Sequence, residues 1–144
     1  MPEQLAISAR NQFKGKVISL TPGMVNTEVV LDIGNGASVA AVITNKSRDH
    51  LDLKEGSEAW AFFKASQVII SKEPGLKTSA RNNFPGKVGA VVKGAVNSEV
   101  RIDLPSGQAV TAIVTNPSAE RLALAQGVEV AALIKAFHVI LGVK

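Results

Sequence analysis

The chain has 144 residues, 46% of them hydrophobic and 19% charged, with a net charge of +4 and a pI near 9.6. That balance excludes a disordered tail and suits one ordinary domain or two small ones. With no cysteine there is no disulfide, no thiolate catalysis and no Cys-based zinc site, and neither of the two histidines, His50 and His138, has a second metal ligand close by in sequence.

The first element follows the quartet Ser8-Ala9-Arg10-Asn11, and the same quartet returns as Ser79-Ala80-Arg81-Asn82. Laid against itself at an offset of 71 residues, without a gap, the chain gives 29 identities in the 66 pairs from Ser8 to Glu73. This is a tandem duplication, and it organises everything else. The repeats run from about Gln4 to Lys72 and from Leu76 to Lys144, joined by KEPGLKT, where Pro74-Gly75 is linker punctuation. The expected units are therefore 1–73 and 74–144.

After each quartet, GKVISL and GKVGAVV read as strands, ended by Gly23 and Gly94. NTEVVLDI alternates Thr27, Val29, Leu31 and Ile33 with Glu28, Val30 and Asp32; NSEVRIDL alternates more cleanly. Gly34-Asn35-Gly36 and Pro105-Ser106-Gly107 mark turns into ASVAAVIT and QAVTAIVT, which are rich in Val, Ile and Thr. TNKSRDHLDLKEG and TNPSAERLALAQG then break the period of two. Thr115 or Asn116 as cap, with Pro117 at the first helical position, predicts a short helix there. EAWAFF and EVAALI return to strand. The predicted fold is all-β with one short helix per unit: two tandem OB-like Greek-key β-barrels.

The polar residues kept in both copies include Ser8/Ser79, Arg10/Arg81, Thr44/Thr115, Ser47/Ser118 and Lys64/Lys135. All of them donate hydrogen bonds, and two per repeat are cationic. If they converge, they make a pocket for a small tetrahedral dianion, and donors alone favour a fully deprotonated one. The plainer reading stands beside it: Ser8 and Asn11 shape the start of a strand, Thr44-Asn45 caps a helix, Lys64 is a solvated strand end, and Asn26 and Asn97 serve turns. Glu28 and Asp32 share one face of a strand, with nothing nearby to complete a nucleophile or a metal site, so no catalytic group is expected.

Taken together, S-A-R-N-x-x-x-G-x-V, G-x-V-N-[ST]-E-V, T-N-x-S-x-x-x-L-x-L-x-x-G and K-A-x-x-V-I resemble the Mop domain of molbindins, small molybdate-binding proteins. The resemblance covers both repeats. It implies a homotrimer that holds molybdate or tungstate between units, with no catalytic cofactor and no metal ligated directly by side chains. It places the contacts at Ser8, Arg10, Thr44, Ser47 and Lys64, and at Ser79, Arg81, Thr115, Ser118 and Lys135. Backbone amides of Ala9, Ala65, Ala80 and Ala136 would assist, and threefold-axis sites would fall near Val25-Asn26 and Val96-Asn97. Pro85, where the first repeat has Lys14, departs from the pattern at a turn.

Two alternatives belong to the same reading. One is the ligand-sensing part of a molybdate-responsive regulator. The other is an OB-type nucleic-acid binder, disfavoured because five Phe, one Trp and no Tyr offer few stacking platforms. VEVAALIKAFHVILGV carries Glu129, Lys135 and His138, too polar for a membrane span, and MPEQLAISARNQF lacks a secretory pattern. The expected setting is the cytoplasm, with storage or homeostasis of molybdenum as the role.

Overall fold

The computed structural model describes residues 4–144. In the first repeat, β1 (Asn11–Pro22), β2 (Asn26–Gly34) and β3 (Ala37–Thr44) form an antiparallel meander, followed by the six-residue helix α1 (Asn45–His50) and β4 (Glu58–Phe63). A 3-10 turn, Ala65–Gln67, leads into β5 (Ile69–Ser71). The second repeat gives β6 (Asn82–Lys93), β7 (Asn97–Asp103), β8 (Ala109–Thr115), α2 (Asn116–Arg121) and β9 (Glu129–Ile134). Another 3-10 turn, Ala136–His138, precedes β10 (Ile140–Gly142). The strands and short helices lie where the periodicity put them.

The compact units do not follow the repeats. Unit 1 takes the chain up to Phe63 and adds Lys135–Lys144; unit 2 is Lys64–Ile134. Each contains one five-stranded sheet, β10-β4-β1-β2-β3 and β5-β9-β6-β7-β8. The last strand of each repeat has thus changed places: β10 pairs with β4, and β5 with β9. Residues 1–73 and 74–144 are units of sequence, while the compact units interleave them. In each unit the outer strands, β10 with β3 and β5 with β8, approach one another, so the sheet curls toward a small barrel.

Alternation fills the barrels. Val29, Leu31 and Ile33 point inward with Val17, Val39, Ala61 and Phe63 in unit 1; Val100, Ile102 and Leu104 do so with Val88, Val110, Ala132 and Ile134 in unit 2. Burying one such aliphatic side chain contributes roughly 1.5–3 kcal/mol before entropy is counted. The long first strand serves two neighbours, pairing with β4 through Asn11–Lys16 and with β2 through Lys16–Pro22. Gly15 sits at that handover, where a Cβ would lie 2.4 Å from the Asp32 carbonyl oxygen. Gly86 meets the Asp103 carbonyl oxygen at the same 2.4 Å. Only a residue without a side chain lets the strands cross this closely.

Candidate functional site

Each repeat's quartet splits by burial. Asn11 and Asn82 are 3% exposed and open β1 and β6, whereas Ser8, Arg10, Ser79 and Arg81 are exposed and Ala9 and Ala80 half-buried. The asparagine belongs to the fold; the hydroxyl and the guanidinium face outward. In unit 1 the residues ahead of β1 are held by Gln12, whose side-chain amide donates to Ala9 O at 3.1 Å and Ile7 O at 3.3 Å and accepts from Leu5 N at 2.9 Å. Asn83 takes that position in the second repeat.

Thr44 and Thr115 are the N-caps of α1 and α2. Thr44 Oγ1 accepts from Ser47 N at 3.0 Å and donates to Ser47 Oγ at 2.9 Å; Thr115 Oγ1 does the same with Ser118 at 3.3 and 2.9 Å. One hydroxyl proton is spent inside each pair, so each pair keeps one O–H for an outside acceptor. Both threonines are exposed, Ser47 is exposed and Ser118 half-buried. The helices are only six residues long, so the hydroxyls, rather than a helix dipole, give these corners their chemistry.

The asparagine after each threonine is a staple. Asn45 Nδ2 donates to Gly23 O at 3.0 Å, its Oδ1 accepts from Thr27 Oγ1 at 2.6 Å, and its backbone N donates to Val25 O at 2.8 Å. Asn116 repeats all three with Gly94 O, Ser98 Oγ and Val96 O at 3.0, 2.7 and 3.0 Å. Thr27 and Ser98 are buried hydroxyls, so the bond satisfies a group that would otherwise be unpaired. The staple fixes each Thr-Asn-x-Ser corner to the preceding turn. On that turn Val25 and Val96 are exposed, while Asn26 and Asn97 open β2 and β7.

Lys64 and Lys135 are exposed and extended, each followed by a buried alanine that begins a 3-10 turn. A first-turn N–H has no partner within its helix, so Ala65 and Ala136 suit the role of backbone donors. The strand exchange redistributes these pairs. Ala65–Gln67 packs on β8, the strand that ends in Thr115, and Ala136–His138 packs on β3, which ends in Thr44. Unit 1 therefore gathers Ser8, Ala9, Arg10, Thr44, Ser47, Lys135 and Ala136. Unit 2 gathers Lys64, Ala65, Ser79, Ala80, Arg81, Thr115 and Ser118. Grouping these residues by repeat puts both lysines in the wrong company; only the pairing of β5 and β10 reveals it.

A groove of about 1050 Å³ opens on unit 2 between Ser71–Thr78 and the outer faces of β6 and β9. None of the expected oxyanion contacts lines it. Leu76, Pro85, Val130 and Leu133 in its walls are poor partners for a dianion, so chemistry argues for the exposed donor corners instead. Among the described residues no group of three or more His, Asp or Glu is placed to hold a metal ion, and no helix is long and apolar enough to cross a membrane.

Two tandem OB-like barrels, each with a hydroxyl pair at a stapled corner and arginine and lysine exposed, define the class of protein. Residues 7–70 and 78–141 each match the TOBE domain, and the chain belongs to that family. A solved structure described as the cytoplasmic molybdate-binding protein ModG, with molybdate bound, superposes with a TM-score of 0.93 at 42% identity, over 97% of this chain and 100% of that one. The molybdenum transport protein ModE of Azotobacter vinelandii is 45% identical over 136 residues, 94% of this chain and 50% of that protein. The molybdenum-pterin-binding protein MopA of Rhodobacter capsulatus is 43% identical over 136 residues, 93% and 51% of the two chains. The chain spans about half the length of these curated relatives. The Mop resemblance and the all-β tandem architecture are both borne out.

Proposed function

We propose that the chain binds molybdate, and tungstate by the same chemistry, through the two sets of donors that the strand exchange assembles. The observation that carries this reading is the duplication itself: Ser, Arg, Thr, Ser and Lys recur at all ten positions, while their neighbours vary. In each described unit these side chains are exposed, apart from the half-buried Ser118, and the Thr–Ser pair keeps one outward O–H. A tetrahedral dianion fits such an array because it accepts everywhere and donates nowhere; a protonated phosphate would bring a hydrogen with no acceptor to meet it. The likeness to ModG supports the choice of anion and a cytoplasmic setting, with storage or homeostasis of molybdenum as the role.

Assembly as a homotrimer is part of the proposal. Met24, Val25, Phe137 and Ile140 on unit 1, and Ile69, Val92 and Val96 on unit 2, are all 60% or more exposed, more apolar surface than a lone small barrel ordinarily leaves in water. A second reading, the ligand-sensing part of a longer regulator, is favoured by the chain's spanning half of ModE. Both readings use the same anion chemistry.

Calorimetric titration with sodium molybdate, run beside sodium sulfate, tests the proposal. Molybdate should bind far more tightly than sulfate and should raise the melting temperature by ligand linkage. Arg10→Ala together with Arg81→Ala should weaken binding by about ten- to a hundredfold, as expected when a charge-assisted hydrogen bond is removed. Equal heats for the two anions, or an unmoved melting temperature, would sink it. Light scattering at the column peak checks for three copies.

A further inference from the structure

The two Thr-Asn-x-Ser corners share their hydroxyl pair and their staple, yet they differ in the charge beside the outward serine. Ser47 stands between Lys46 and Arg48; Ser118 stands between Pro117 and Ala119. Arg48 is not a loose surface cation. Its Nη1 donates to Thr27 Oγ1 at 2.9 Å, and its Nε and Nη2 both reach Asp49 Oδ1 at 3.1 Å. The Thr27 hydroxyl in turn donates to Asn45 Oδ1, so one buried oxygen ties the guanidinium to the asparagine that begins α1.

The Arg48 side chain is 25% exposed and that of Asp49 71%. Water therefore screens the carboxylate more than the guanidinium, and the pair leaves a positive field at the corner. A planar guanidinium already fixed on two partners also loses little further freedom when an anion arrives. At the other corner Ala119 offers only a buried methyl, and Glu120 lies 3.5 Å from Lys93 as an exposed pair of opposite charges. Identical donors thus sit on different electrostatic backgrounds.

We infer that Arg48 makes the Ser47 corner a tighter and more salt-sensitive oxyanion site than the Ser118 corner. This rests on the oxyanion reading above, and within it Arg48 is a positioning residue, acting through its charge and through Thr27 and Asn45. A partly screened unit charge acting on a dianion within a Debye length should separate the two affinities by about three- to tenfold at low ionic strength.

The test is titration of the full chain with sodium molybdate at two ionic strengths. The wild type should show two classes of site, the tighter one weakening more steeply with salt. Arg48→Met should bring the tight class down to the other and flatten its salt dependence, while Arg48→Lys should keep most of that dependence. Ala119→Lys leaves the Thr27 hydrogen bond untouched, so it decides the matter even if Arg48→Met unfolds: the weaker class should tighten and become salt-sensitive. A single class in the wild type overturns the inference, as does an Arg48→Met variant whose two classes fall equally or not at all, or an Ala119→Lys variant that matches the wild type. Any of those results with molybdate still bound leaves the oxyanion reading standing. No molybdate heat in the wild type removes both.

Discussion

The first and second units run one backbone through two sets of surface side chains. Where the backbone itself makes the demand, the repeats agree: Gly15 and Gly86 at the handover, Thr44 and Thr115 as caps, Asn45 and Asn116 as staples. Away from such demands they part. Unit 1 stacks Phe13 on Phe63 with centroids 5.8 Å apart and sets Lys14 Nζ 5.6 Å from the centroid of Trp60. Unit 2 has Phe84 with Ile134, and Pro85 with Ala131, at the same places, and there the groove opens. The lesson is that shared backbone constraints and shared donors persist for separate reasons, and that substitutions can tell the two apart.

The largest effect should come from the handover glycines. Gly15→Ala and Gly86→Ala each drive a methyl to 2.4 Å from a backbone oxygen that cannot swing aside, so each should lose about 3 kcal/mol, the upper part of the usual overpacking range. Gly89→Ala provides the contrast. Its methyl would meet Asp103 Oδ2 at 2.1 Å and Arg101 Nη2 at 2.5 Å, the ends of two half-exposed side chains that can move away. Ile18 occupies the same place in the first repeat, where Val30 replaces Arg101. Urea unfolding should separate Gly86→Ala from Gly89→Ala clearly. Similar losses for the two would mean that backbone crowding is not what keeps Gly86.

The repeat made much of this legible. Period-two alternation located eight strands, and Thr followed by Asn located both helix starts, with Pro117 confirming the second. What stayed hidden needed long-range information. Ile69–Ser71 and Ile140–Gly142 are three-residue strands with the same apolar pattern, so either could pair with either β4 or β9 on local grounds alone. The strand exchange, and with it the company Lys64 and Lys135 keep, is therefore unreadable from either repeat taken singly. Asn45 could be read as cap or turn, but its partners lie 18 and 22 residues back. The grip of Arg48 on Thr27, across 21 residues, has no local signature at all.

The staple offers the next test. Asn45→Ala and Asn116→Ala each strip the acceptor from a buried hydroxyl and the donor from a turn carbonyl, and should lose about 1–3 kcal/mol. The losses should differ. In unit 1 Thr27 still accepts from Arg48, whereas the second repeat offers Ser98 only an alanine at that position. Asn116→Ala should therefore be the more damaging of the two in denaturant unfolding. The reverse order would show that Arg48 gives Thr27 no structural support, leaving only its charge to matter.

The smallest effect separates the two helix ends. Leu53 N donates to Arg48 O and Leu124 N to Ala119 O, closing each helix over a residue with positive φ, Asp52 at 51° and Ala123 at 49°. Glycine is the usual residue there because a Cβ crowds the left-handed conformation. Ala123→Gly should therefore stabilise by about 0.5–1 kcal/mol, the relief of strain exceeding the extra freedom gained by the unfolded chain. Asp52→Gly should gain less, since a short polar side chain tolerates this region better than a methyl does. Asp52 also lies 3.7 Å from Lys54, but both side chains are largely exposed and the pair adds little. Thermal unfolding of the two variants gives the answer directly. A rise of about 2–4 °C for Ala123→Gly, with a smaller shift for Asp52→Gly, identifies the second repeat as the one that holds strain at its helix end.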